Sequence, residues 1–333
     1  MLIDTHTHLN FQSFENDWEE VVKRAKEAGV EKMIVVGVDI ESSEKAVKMA
    51  AENPALYATV GVHPHHVRGL MEEILRRSGT SQSSRSAQDD TTALKSLAVV
   101  SNELKKLARN PKVVAVGEVG LDYHLYRKSK YSYASPAGRQ IGRSFSQAQN
   151  QKSKIKNDIG LKNLQKQLLG MQVELAKELD LPLILHSREA GRDVLDVVEH
   201  FSKKDGVVPK GVWHCFDGSK SYLEQILVAG FYVSFTGQVT YVADRAAVAL
   251  EVPLDRLLLE TDCPFMKPKN LHLGGVMASQ AQPATVRGDR SDRSEPKDVA
   301  ILAAFHAEQR GVETATIEAA TTKNTNKLFK LGT

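Results

Sequence analysis

Eight short apolar runs, separated by turns or helical stretches, recur along the 333 residues of this chain. They are Leu2-Ile3, Lys32 to Val38, Leu56 to Val62, Val113 to Gly117, Leu181 to Leu185, Gly211 to Trp213, Phe231 to Phe235 and Leu257 to Leu259. A strand with one wet face alternates apolar and polar residues. These runs stay apolar on both sides, as a parallel sheet covered on both faces requires. Trp18 to Ala28, Ser43 to Asn53, Leu164 to Leu179 and Leu223 to Ala229 read as helices between them. Strand-helix units repeated about eight times predict a single-domain (β/α)8 TIM barrel spanning residues 1–333, with its active site at the carboxyl ends of the strands.

Metal-type ligands recur at those ends. The opening segment Met1-Leu2-Ile3-Asp4-Thr5-His6-Thr7-His8 sets a His-x-His at a strand end. Alternate side chains of extended backbone point the same way, so His6 and His8 can grip one ion. The third run ends in His63, the fourth in Glu118, the fifth in His186, the sixth in His214 and the eighth in Asp262. Any one of these, taken alone, reads as an ordinary core or surface residue. A closed barrel gathers strand ends that are distant in sequence around one rim, so imidazoles and two carboxylates can converge on two neighbouring divalent ions.

The segments Ile3-Asp4-Thr5-His6-Thr7-His8-Leu9, Gly61-Val62-His63-Pro64-His65 and Gly117-Glu118-Val119-Gly120-Leu121-Asp122-Tyr123 are followed by His186-Ser187-Arg188-Glu189, His214-Cys215-Phe216 and Glu260-Thr261-Asp262-Cys263-Pro264. In this order they resemble the signature of the TatD-type metal-dependent deoxyribonucleases, a family of amidohydrolase-like TIM barrels. The resemblance runs from Met1 to the closing helix near Leu331. It implies that His6, His8 and Asp262 hold one ion, that His186 and His214 hold the other, and that Glu118 bridges. It also implies that His63 sits beside the metals and helps with the scissile phosphate. The chain departs from the family where Ser294, before Glu295-Pro296, replaces the usual Asn.

This donor set suits hydrolysis, because two ions sharing a carboxylate acidify a water and neutralise charge on a phosphoryl oxygen. Asp262 is the residue expected to orient that water and take its proton, with His63 offsetting the phosphoryl charge. Histidine-rich coordination favours Zn2+ or Mn2+, whereas the resemblance points to Mg2+, so the identity of the two ions stays open. The expected substrate is DNA, its phosphodiester bonds cleaved as the family's 3'-5' exonucleases do. Two rival readings are an amidohydrolase acting on a small amide, lactone or ester, and a catalytically inactive metal-binding scaffold. The intact ligand set argues against the scaffold.

Nearby residues carry weaker signals. Asp122 reads equally as an acceptor behind a ligand histidine and as a cap of the following loop. Arg188 and Glu189, expected at the start of the helix after the fifth strand, read as a solvated ion pair. His65 and His66 follow the rim and can touch substrate. His200, His272 and His306 lie away from strand ends, and Cys215 and Cys263 read as small packing residues. Two cysteines provide no disulfide framework, and the start carries no basic segment followed by a cleavable apolar stretch, so a cytoplasmic protein is expected. No apolar run is long enough to cross a bilayer.

A net charge of +3 decides little about nucleic acid, but its distribution is informative. Loop insertions are expected at 78–92, 127–160 and 270–293. The first is Ser-rich. In the second, Arg127, Lys128, Lys130, Arg139, Arg143, Lys152, Lys154 and Lys156 are opposed only by Asp158 and interleaved with Tyr131, Tyr133 and Phe145. Such a segment offers charge for phosphates and faces for bases, although a solvated insertion would look the same.

Overall fold

The computed structural model describes residues 1–67, 69, 88–124, 159–269 and 293–332. Eight parallel strands form one sheet in sequential order: β1 (Leu2–Thr7), β2 (Val30–Val35), β3 (Leu56–Val60), β4 (Val113–Asp122), β5 (Leu183–Arg188), β6 (Gly211–Trp213), β7 (Tyr232–Phe235) and β8 (Leu257–Leu259). Helices α1 (Trp18–Glu27), α2 (Ile40–Glu52), α3 (Gln88–Leu107), α4 (Ile159–Leu179), α5 (Gly191–Lys203), α6 (Lys220–Val228) and α7 (Ala243–Leu250) connect them. After β8 come α8 (Val299–Arg310) and α9 (Thr314–Phe329). This is the expected (β/α)8 barrel.

The ring closes beyond the end of β8. Thr7 bridges Cys263 in parallel, the Asp262 N–H donates to the His6 carbonyl at 2.9 Å, and the His8 N–H donates to the Cys263 carbonyl at 2.9 Å. Inside the ring, every strand contributes an apolar side chain: Ile3, Ile34, Tyr57, Val114, Ile184, Val212, Tyr232 and Leu258 pack together with Leu328, Phe329 and Leu331. The larger core lies between strands and helices, which is why the strands are apolar on both faces.

Local chemistry sets the connections. Asp39 caps α2, accepting the Ser42 N–H at 2.7 Å, while Ser42 Oγ accepts the Asp39 N–H at 2.9 Å, a reciprocal capping box. Gly120 has φ +151°, and a Cβ there would overlap the carbonyl oxygen of His186 on the paired strand. On the flank of the barrel, Arg24 makes two hydrogen bonds to Glu295, at 2.9 and 2.8 Å, and Arg293 reaches Asp17 at 2.5 Å and Glu295 at 3.2 Å. These pairs tie the chain leading into α8 to α1. Ser294, at the family's Asn position, is buried and donates to Asp298 Oδ2 at 3.1 Å.

The boundaries depart from expectation in several places. α3 already begins at Gln88, so residues 88–92 of the expected first insertion are helical; their polar sequence lacks the apolar periodicity that marks a helix start. α4 likewise takes in Ile159 and Gly160, and Arg293 is held by its ion pairs. The remainder of the three insertions lies outside the described residues. Arg188 is the last residue of β5 rather than a helical one, Glu189 has φ +53°, and α5 starts at Gly191. Among the described residues no helix is long and apolar enough to cross a membrane.

Candidate metal centre

All the predicted site residues meet at the carboxyl rim. Glu118 lies within β4 and His186 within β5; His8 and His214 directly follow β1 and β6, His63 and Asp262 stand three residues past β3 and β8, and His6 is in β1. His6, His8, His63, Glu118, His214 and Asp262 are all buried.

Glu118 divides the donors into two groups. Its Oε2 lies 3.5 Å from His6 Nε2 and 3.8 Å from His8 Nε2. These two imidazole nitrogens are 3.3 Å apart, and Asp262 Oδ1 stands 3.6 and 3.2 Å from them. Its other oxygen, Oε1, is 2.8 Å from His186 Nδ1, 2.8 Å from His214 Nε2 and 3.3 Å from His63 Nε2. His186 Nδ1 and His214 Nε2 are 3.4 Å apart. Donors held ~2.1 Å from a tetrahedral ion stand about 3.4 Å from one another, so the spacing of the first group fits a divalent cation. Imidazole nitrogen with carboxylate oxygen is also the donor chemistry of Zn2+ and Mn2+, and tolerable for Mg2+. His63, Glu118 and His186 lie close enough together to form a further triplet, which makes His63 a second claimant for the Oε1 side.

The electrostatics follow from burial and crowding. Burial would raise the Glu118 carboxyl, but His63 and His214 beside it, with the hydrogen bonds from His186 and His214, hold it well below the usual range. In return His186 rises to about 9 despite burial, because it bonds Asp122 and Glu118, and His214 rises for the same kind of reason, through Glu118 and Glu260. His6 is lowered, first by burial and then by the neighbouring His214, whose ring stacks on it at 4.0 Å. A metal competes with protons for such nitrogens.

A second ring of residues supports the donors. Asp122 Oδ2 meets His186 Nε2 at 3.2 Å and His65 Nε2 at 2.7 Å, while its Oδ1 accepts the His124 N–H at 2.8 Å, so it both meets imidazoles and caps the following loop. Two supports were missing from the expected site. Asp4, fully buried, accepts the N–H groups of His6 at 3.2 Å and Thr261 at 3.0 Å and the Thr261 hydroxyl at 2.6 Å. Glu260 accepts the Cys215 N–H at 2.5 Å and the Ser234 hydroxyl at 2.7 Å, with His214 Nδ1 3.6 Å away. The available signal was a carboxylate set among apolar strand residues, which demands buried partners. Cys263 is buried, Cys215 lies 3.4 Å from the Met266 sulfur, and burial pushes both thiols up, away from the thiolate that binds metal. His200 is exposed on α5, His306 is buried on α8, and His272 lies outside the described residues.

The sequence profile of the TatD related DNases matches residues 3–330. The chain belongs to the TatD-related DNase family. This TatD-type metal-dependent hydrolase is 31% identical to the uncharacterized metal-dependent hydrolase YabD of Bacillus subtilis, over 99% of this chain and 100% of the relative. It is 30% identical to the 3'-5' ssDNA/RNA exonuclease TatD of Klebsiella pneumoniae, over 98% of this chain and 97% of that one. Among solved structures it resembles the TatD homologue YJJV of Escherichia coli, with a TM-score of 0.68 and 26% identity over 99% and 98% of the two chains.

Proposed function

We propose that this TatD-family hydrolase cleaves phosphodiester bonds of DNA, working from a strand end. The observation that carries the reading is the placing of Glu118, whose two oxygens each face a separate set of donors. In this reading His6, His8 and Asp262 would hold one divalent ion, His186 and His214 would hold a second, and Glu118 would contribute to both. The relatives named as 3'-5' ssDNA/RNA exonucleases support a nucleic-acid substrate. When bound, the ions supply an acidified water and a sink for charge on a phosphoryl oxygen.

The remaining steps belong to the protein. Asp262, buried to all but 7% of its surface at the rim, orients the attacking water and accepts its proton. His63, with its Nε2 3.3 Å from Glu118 Oε1, stabilises charge on a non-bridging phosphate oxygen. Asp4 and Glu260 keep the β1 and β6 donors in place from behind.

The test is an assay with end-labelled single- and double-stranded DNA and single-stranded RNA, run with Mg2+, Mn2+ or Zn2+ and beside a panel of small esters, lactones and amides. Metal-dependent release of nucleotides from one end is expected, abolished by EDTA. Turnover of an ester or amide without cleavage of any nucleic acid would replace this reading with the amidohydrolase one.

A further inference from the structure

Three imidazoles crowd Oε1 of Glu118, and what each meets on its far side differs. His186 turns Nδ1 to that oxygen at 2.8 Å and Nε2 to Asp122 Oδ2 at 3.2 Å. His63 turns Nε2 to it at 3.3 Å, while its Nδ1 accepts the main-chain N–H of His65 at 3.1 Å. The His65 side chain is held in turn by Asp122, Nε2 to Oδ2 at 2.7 Å. One carboxylate therefore contacts one of these rings and anchors the residue that contacts the other.

A neutral imidazole has one N–H and one lone pair, so a partner on one nitrogen decides what the other presents. A carboxylate beyond Nε2 takes the N–H and leaves a lone pair at Nδ1. An amide N–H beyond Nδ1 takes the lone pair and leaves an N–H at Nε2. We propose that Asp122 is a positioning residue that sorts these neighbours, making His186 a metal ligand through Nδ1 and His63 a hydrogen-bond donor through Nε2. The proposal rests on the two-ion reading above and settles its ambiguous member: His63 lies at ligand distance from Glu118 but offers substrate oxygen a proton instead of offering a metal a lone pair.

Asp122 is built for this task. Its side chain is fully buried at the end of β4, its Oδ1 accepts the His124 N–H, and its own peptide is gripped by Gln165 of α4, whose Nε2 donates to the Asp122 carbonyl and whose Oε1 accepts the Asp122 N–H, each at 3.2 Å. The carboxylate has no freedom to leave either histidine.

Two measurements test it without nucleic acid. In Zn2+-loaded protein carrying 15N-labelled histidine, long-range 1H–15N correlations report each ring's tautomer, with His63→Gln and His186→Gln supplying assignments. The expected pattern is Nε2–H with metal on Nδ1 at His186, and Nε2–H with no metal at His63. An Nδ1–H tautomer at His186, or metal on His63, overturns the proposal. Asp122→Asn leaves one acceptor oxygen to serve both the two histidines and the His124 N–H, and adds an N–H that favours the opposite tautomer. Calorimetric titration with Zn2+ should show the ion on the His186 side weakened roughly 10–100-fold and the other ion unchanged. Equal affinities in variant and wild type overturn the proposal, and if the variant does not fold, the wild-type tautomers decide alone. A protein that sorts its histidines as stated but cleaves no nucleic acid would sink only the nuclease reading; one that takes up no Zn2+ would sink both.

Discussion

The main-chain N–H of Asp262 donates to the His6 carbonyl at 2.9 Å, while their side chains approach to 3.6 Å between Oδ1 and Nε2. The same two residues close the sheet and shape one donor group. Side-chain substitutions can therefore alter the chemistry and leave the closing main-chain bond in place.

Glu118→Ala removes the carboxylate whose two oxygens face the two donor sets. Elemental analysis and calorimetry should show both ions weakened, turnover should fall by orders of magnitude, and circular dichroism should report an intact barrel. Two ions held as tightly as in the wild type would end the bridging assignment.

Asp262→Asn keeps the shape and one oxygen but cannot accept a proton. Under saturating metal, kcat should fall roughly 10²-fold or more with KM little changed. A variant with near wild-type kcat would move the base role to another residue.

His306 on α8 is a prediction about stability. The ring is fully buried near Phe305 and Phe235, and neither of its nitrogens has a hydrogen-bond partner among the described residues. Burial, with Arg310 nearby, lowers it from 6.5 to about 3. The unfolded chain thus binds a proton there that the folded chain refuses, so stability drops as pH falls from about 6.5 towards 3, by up to about 1.4 kcal/mol per pH unit. His306→Phe should stabilise the protein at neutral pH by about 1 kcal/mol or more and narrow the gap between urea midpoints at pH 7.5 and 4.5. An unchanged gap would show that another group drives the loss.

The basic segment within residues 127–160 yields a salt prediction. If it neutralises phosphates, deleting residues 128–158 should flatten the slope of log affinity against log salt for a long single strand, by roughly 0.7 for each phosphate no longer neutralised. Cleavage of a very short substrate should survive, since no proposed ligand lies in the segment. Equal slopes would leave the segment without a binding role.

The strands were legible because buried parallel strands stay apolar on both faces, and the donors were legible because they fall at the strands' carboxyl ends. Strand lengths were not. β4 and β5 run on because Asp122 pairs with Arg188 and Leu121 with Ser187, and pairing belongs to two segments at once. Asp4 and Glu260 were hidden for a related reason: their partners, Thr261 for one and Ser234 and Cys215 for the other, stand far away along the chain. Asp122 fitted two roles in sequence because it performs both, capping the turn at His124 and meeting two imidazoles.

The closing seam also places this chemistry in time. Thr261 and the Asp4 that clasps it are 257 residues apart, so a chain growing from its N-terminus displays His6 and His8 long before Asp262 emerges. Until the last strand is delivered, the half-built barrel has an open edge and an incomplete donor set. The first donor group is therefore completed only when β1 and the residues that follow β8 come together.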